Sequence, residues 1–243
     1  MFGLGTIINV TFVILGATLG LFLKKGIPER LNETVSKAIG LSTCFIGICG
    51  VVCKMVYIND KTFETRNTML LVVSLVVGGL VGELINIEKH LKNFGEFCKN
   101  KIHLKGNDDS FVEAFVTASL LFCVGAMAIV GSLEDGLTGN YSTLFAKSVM
   151  DGIMSVMFAA TMGAGVYLSA LPVLVYQGSI TLLAGLLKPF LSSVLIDQVS
   201  LVGSALIFAI GINFLSNSKI RIGNLLPAVL VPVIYQFVLK FLG

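Results

Sequence analysis

Lys147 and Asp151 stand four residues apart in Ala146-Lys147-Ser148-Val149-Met150-Asp151-Gly152, inside a run that is otherwise apolar. On a helix that spacing puts both side chains on one face. An ionisable group within lipid is costly and normally faces a bundle interior or an aqueous path. Asp151 therefore reads as a cation or proton site, about 12 Å below the outer surface at 1.5 Å per residue, with Lys147 its partner or gate. An intrahelical ion pair that cancels two charges and locks packing fits the same spacing. Glu83 is the third ionisable residue in a hydrophobic run. It follows Gly78-Gly79-Leu80-Val81-Gly82, a small-residue face along which another helix can approach, and no cation lies within a turn on its own helix. It reads either as an uncompensated carboxylate suited to proton or cation coupling, or as one that reaches back to the boundary at Glu88 and Lys89.

Five amides, Asn9, Gln177, Asn213, Asn224 and Gln236, also fall in apolar runs. They are candidates for lining a solute path, or for interhelical packing bonds worth roughly 0.6–2 kcal/mol each. Asn224 precedes Leu225-Leu226-Pro227, with Pro232 beyond. Prolines free backbone carbonyls, which beside an amide can line a path; a simple proline kink is the other reading.

These residues need helices in lipid to hold them. Of the 243 residues 55% are hydrophobic and 13% charged, against roughly 25% charged in a soluble domain, so the chain cannot cover a water-facing surface and is not disordered. A net charge of +3, scattered along the chain, gives no nucleic-acid footprint. Eight stretches reach the roughly 20 apolar residues a spanning helix needs: 4–23, 35–57, 67–87, 111–132, 142–168, 171–191, 199–215 and 222–242. The fifth and sixth are divided only by Ser169-Ala170-Leu171-Pro172, so seven is the other count. The predicted fold is an all-α polytopic membrane protein of about eight transmembrane helices. Twenty of the 31 charges fall in residues 24–37, 54–66 and 88–109, which punctuate the spans independently. The N-terminus lacks the basic region of a cleaved signal peptide, so the first stretch is expected to stay as a helix. Eleven Lys and Arg fall on one side and six on the other, which places both termini outside and the basic 88–110 loop in the cytosol.

The segment 15–47 resembles 177–211. Each has a glycine in an apolar helix, then Lys and Pro, then an acid, then Phe45-Ile46-Gly47-Ile48 or Phe208-Ala209-Ile210-Gly211-Ile212. The match relates span one to span six and span two to span seven. That odd offset inverts topology, as in secondary transporters. Asn9 and Gln177, and Glu83 and Gln236, then lie near mirrored depths. The expected organisation is a first repeat of three helices (1–87), the cytosolic loop (88–110), two central helices (111–170) and a second repeat of three (171–243).

Other features read as structure. Ser110-Phe111-Val112-Glu113 has the pattern of a capping box opening span four. Glu134 and Asp135 read as a solvated turn beyond that span, or as acids at a cation entrance. Gly16/Gly20 and Gly78/Gly82 have the spacing of close helix contacts, intramolecular or oligomeric. The five cysteines, Cys44, Cys49, Cys53, Cys98 and Cys123, read as free packing thiols. Cys49 and Cys53, one turn apart, lack further ligands for a metal, and His90, Cys98 and His103 match no zinc spacing. No nucleotide-binding, nucleophile-elbow or zinc-protease motif is present. The chain is expected to be no enzyme, with no catalytic residue, no metal and no cofactor.

The stretches Gly5-Thr6-Ile7-Ile8-Asn9-Val10, residues 125–136 (Gly-Ala-Met-Ala-Ile-Val-Gly-Ser-Leu-Glu-Asp-Gly), 146–152, Tyr176-Gln177-Gly178-Ser179-Ile180-Thr181 and Asn224-Leu225-Leu226-Pro227-Ala228 resemble the YqgA/YdfK-like family of prokaryotic membrane proteins, domain of unknown function 554. The resemblance spans essentially the whole chain. It implies a bacterial inner-membrane protein and brings neither a substrate nor site residues.

The expected function is a transporter or channel for a small solute or ion, coupled to protons or cations through intramembrane carboxylates. The alternative is a non-transporting scaffold, sensor or lipid-binding protein whose basic 88–105 loop meets anionic headgroups or a cytosolic partner. The partners expected are the lipid bilayer, a small solute or ion, and further copies of the chain. A packed bundle with both carboxylates paired out or facing lipid would count against transport.

Overall fold

Within lipid a chain must satisfy its backbone internally, so the apolar runs fold as helices. The computed structural model describes residues 3–24, 28–59, 62–91, 93, 97, 108–123, 126–189, 191–216 and 220–242. In chain order the helices are α1 (Leu4–Lys24), α2 (Glu29–Met55), α3 (Thr68–Ile85), α4 (Asp108–Cys123), α5 (Ala126–Thr138), α6 (Ser142–Thr161), α7 (Gly165–Leu168), α8 (Ala170–Leu182), α9 (Ala184–Leu187), α10 (Ser193–Leu215), α11 (Ile222–Leu225) and α12 (Val231–Leu242). A 3-10 turn, Leu226–Leu230, joins the last two. Among the described residues seven helical segments are long and apolar enough to cross a membrane, counting Gly165–Leu182 and Ile222–Leu239 as one each. The pair α4 and α5, bent by 59°, makes an eighth crossing if its two halves form one broken span rather than a re-entrant loop. Most of the basic 88–110 loop, with Cys98 and His103, lies outside the described residues.

The fold is an all-α polytopic bundle, as expected, with one short hairpin between α2 and α3: β1 (Val56–Asn59) and β2 (Thr62–Thr65) pair antiparallel, Val56 opposite Thr65 and Ile58 opposite Phe63, as β-branched and aromatic residues favour. Three finer expectations change. The division between spans five and six falls at residues 162–164 rather than 169–172. Gly163 has φ +105°, a left-handed conformation that side chains disfavour, whereas Pro172 sits in the first turn of α8, where its missing N–H costs nothing. Span four does not end at Ser132. Its second half, α5, continues to Thr138 and stops at Gly139, φ +72°, so Glu134 and Asp135 are helical. Finally, α4 starts at Asp108, which puts Ser110 inside the helix rather than at its cap, and its hydroxyl donates to the Met162 carbonyl at 3.0 Å.

Packing gathers the chain into two compact units, each drawn from both halves of the sequence: residues 1–37 with 91–190, and 38–90 with 191–243. In the first unit α1 runs parallel to α6. A Cβ at Gly16 would strike the Gly152 carbonyl and Ser155, and one at Gly20 the Val156 carbonyl and Ala159. Helix α8 runs antiparallel to α1, with Gln177 beside Asn9 and Tyr167, in α7, beside Thr18. In the second unit α10 forms the core, with Leu201, Val202, Leu206 and Ile210 buried. Helix α2 lies antiparallel along it, Gly40 against Phe214, Gly47 against Phe208 and Gly50 against Ser204. Helix α3 packs antiparallel on the C-terminal segment, Gly78 against Ala228 and Gly82 against Asn224. Both glycine pairs thus serve contacts inside the chain.

Helix α3 is sided as lipid requires. Ser74, Gly78 and Gly82 are buried, while Val72, Val76, Leu80 and Leu84 are exposed. Small residues let helices approach, and large apolar ones face outward to the hydrocarbon.

Candidate functional site

Four of the eight sequence candidates meet inside the first unit. Lys147 and Asp151 share a face of α6, as their spacing dictates, and the ammonium donates to Asp151 Oδ2 at 2.5 Å. Asn9 of α1 donates from Nδ2 to the same oxygen at 3.0 Å and to Gln177 Oε1 of α8 at 3.2 Å. All four residues are buried. Gly16, Gly20 and Gly152 bring the backbones of α1 and α6 close enough for these short contacts. The ion pair leaves no net charge, which is how two ionised groups stay within a membrane bundle. Its hydrogen bonding is incomplete. Asn9 Oδ1 and Gln177 Nε2 are both buried without a partner among the described residues, leaving one acceptor and one donor beside the pair.

One turn from Asn9, toward the start of α1, the Gly5 N–H donates at 3.0 Å to Asp135 Oδ2 of α5. The sequence reading missed this carboxylate as a buried group. Asp135 is fully buried, and it is helical because α5 runs past Ser132 to the left-handed Gly139. Among the described residues its Oδ1 has no hydrogen-bond partner, and the buried hydroxyls of Thr6, Ser132 and Thr181 share that condition.

The other four candidates belong to the second unit, where Glu83 and Asn224 bond to each other while Asn213 and Gln236 bond elsewhere. Glu83 is not uncompensated: Arg221 donates to its Oε1 and Asn224 Nδ2 to its Oε2, each at 2.6 Å. Asn224 Oδ1 accepts from the Glu88 N–H at 2.8 Å. Asn213 holds Ile220 from both sides, donating to its carbonyl and accepting from its N–H, each at 2.8 Å. Gln236 donates to Gln198 at 2.8 Å, and Gln198 donates to Asn67 at 3.3 Å. Asp197 takes Lys54 at 2.6 Å and Arg66 at 3.3 Å. Arg221, Gln198 and Asp197 were not legible as partners, because each lies far along the chain from the group it meets.

Among the described residues no three His, Cys, Asp or Glu side chains gather as metal ligands. Cys44, Cys49, Cys53 and Cys123 are free thiols, and His90 is exposed with Nδ1 3.0 Å from the Asn86 carbonyl.

With the geometry in place, comparison with known proteins adds three findings. The family model described as protein of unknown function (DUF554) matches residues 4–237. The chain is similar to the uncharacterized membrane protein YdfK of Bacillus subtilis (strain 168), 33% identical over 239 residues and 98% of each chain. It is also similar to the uncharacterized protein YqgA of Escherichia coli (strain K12), 29% identical over 231 residues and 94% of each chain. No solved structure matches it.

Proposed function

The chain belongs to the DUF554 family, and from that premise we propose that it is a transporter or channel for a small solute or ion in the bacterial inner membrane, with Asp151, Lys147, Asn9 and Gln177 at its centre. One observation carries this reading: a buried ion pair flanked by two amides whose remaining donor and acceptor have no partner among the described residues. A cluster serving packing alone would be expected to satisfy every buried polar atom, since each orphan costs about 1–3 kcal/mol. The leftover Asn9 Oδ1 and Gln177 Nε2 provide the valence a passing solute or ion needs. Movement of Lys147 away from Asp151 Oδ2 exposes a carboxylate to a proton or cation, and the ammonium to an anion.

Glu83 is paired out, as are Asn213 and Asn224, and we assign these three with Gln236 to the packing of the second unit. The antiparallel pairing of spans one with six, two with seven and three with eight supports the inverted repeat. Two such halves could exchange conformations to give alternating access. The test is purified protein in liposomes, assayed for proton and cation flux. Asp151→Asn is expected to abolish flux and Glu83→Gln to preserve it. Flux unchanged in Asp151→Asn removes the cluster from the mechanism.

A further inference from the structure

Asp135 closes a second polar layer in the first unit. Its Oδ2 caps the first turn of α1 through the Gly5 N–H at 3.0 Å, and a Cβ on the next residue, Gly136, would strike the Thr181 carbonyl. The antiparallel register that sets Gln177 beside Asn9 also sets Thr181, one turn on, level with Gly5 and Thr6. Three elements, α5, α1 and α8, thus meet at one level of the bundle, α5 carrying Asp135 and, one turn back, Ser132, α1 carrying Thr6 and α8 carrying Thr181. All four side chains are more than nine-tenths buried. Asp135 Oδ1, Thr6 Oγ1, Thr181 Oγ1 and Ser132 Oγ have no hydrogen-bond partner among the described residues.

We infer that this layer binds a small alkali cation, sodium by size. The donors are oxygens alone, one carboxylate and neutral hydroxyls, which is the set a hard cation takes. The charge count selects a monovalent ion. Among the described residues Asp135 forms no ion pair, and the positive end of α1 supplies about half an elementary charge. Lys147, one turn deeper, is spent on Asp151. A divalent ion would leave a net positive charge where burial penalises it, whereas one monovalent ion leaves the layer near neutral. The site lies about 6 Å, one helical turn, from Asn9 along α1, adjacent to the proposed solute cluster. A role as coupling ion rests on the transport reading, but binding itself does not.

The experiment is thermal unfolding of the purified full-length protein in nanodiscs, titrated with sodium chloride against choline chloride at fixed ionic strength. Sodium is expected to raise the midpoint saturably, by at least about 3 °C. Asp135→Asn should lose that shift, while its amide oxygen still accepts from Gly5. The double variant Thr6→Val/Thr181→Val, which keeps the carboxylate, should need at least about tenfold more sodium, equivalent to 1.4 kcal/mol. A wild-type midpoint indifferent to sodium overturns the inference. A sodium shift that survives Asp135→Asn also overturns it, by placing the ion elsewhere. Sodium binding without flux in liposomes removes the transport reading alone. Flux without a sodium shift removes only this one.

Discussion

The two units carry the same kinds of residue and use them differently. In the first, Lys147 and Asp151 keep 7% and 9% of their side-chain surface exposed; in the second, Arg221 and Glu83 keep 64% and 56%. Both ion pairs are short, and both stand beside an asparagine. Around Glu83 each carboxylate oxygen has its own donor and Asn224 uses both ends of its amide. Around Asp151 two donors crowd one oxygen, and the amides retain unused atoms. An intramembrane charge is therefore a poor guide to function by itself. Burial together with unspent hydrogen-bonding capacity is what separates the two sites.

The sharpest way to break that comparison is to remove one member of each pair. Asp151→Asn strands a buried ammonium and should destabilise by about 3–5 kcal/mol, seen as a large fall in the thermal midpoint in nanodiscs. Glu83→Gln, in an exposed pair, should cost at most about 1 kcal/mol. Equal losses would abolish the distinction. Between those extremes lie the glycines, where the units should behave alike. Gly16→Ala and Gly82→Ala both drive a methyl into a facing carbonyl and should each cost about 1–3 kcal/mol. Gly178, on α8, has open space around its Cβ position, so Gly178→Ala should be neutral or stabilising by up to about 1 kcal/mol. A Gly16→Ala protein as stable as Gly178→Ala would contradict the close approach of α1 and α6 that assembles the cluster.

The sequence exposed these features unevenly, for physical reasons. Spacing within one helix is local, so the Lys147 and Asp151 pair was legible, as was the need for close contacts at Gly16 and Gly78. That the close contacts are made inside the chain was not, because a glycine notch does not name its partner. Asn9 and Gln177 could be singled out as amides in lipid, but their meeting depends on the antiparallel register of α1 and α8. Asp135 was misplaced because the apolar run was read as ending at Ser132, whereas the helix runs on to the left-handed turn at Gly139. The same cause shifted the division near residue 170: Pro172 resembles a breaker, yet Gly163 performs the break. Glu83 looked uncompensated because its cation, Arg221, lies 138 residues away.

The central claim is that the Lys147 and Asp151 cluster serves passage rather than packing. Lys147→Gln/Asp151→Asn replaces the ion pair by two neutral groups of similar shape, which should restore most of the stability that Asp151→Asn alone removes. Proton and cation flux through liposomes holding this folded double variant tests the claim directly. The account predicts that flux falls to the level of empty liposomes while the wild type conducts; flux in the double variant equal to the wild type would contradict it.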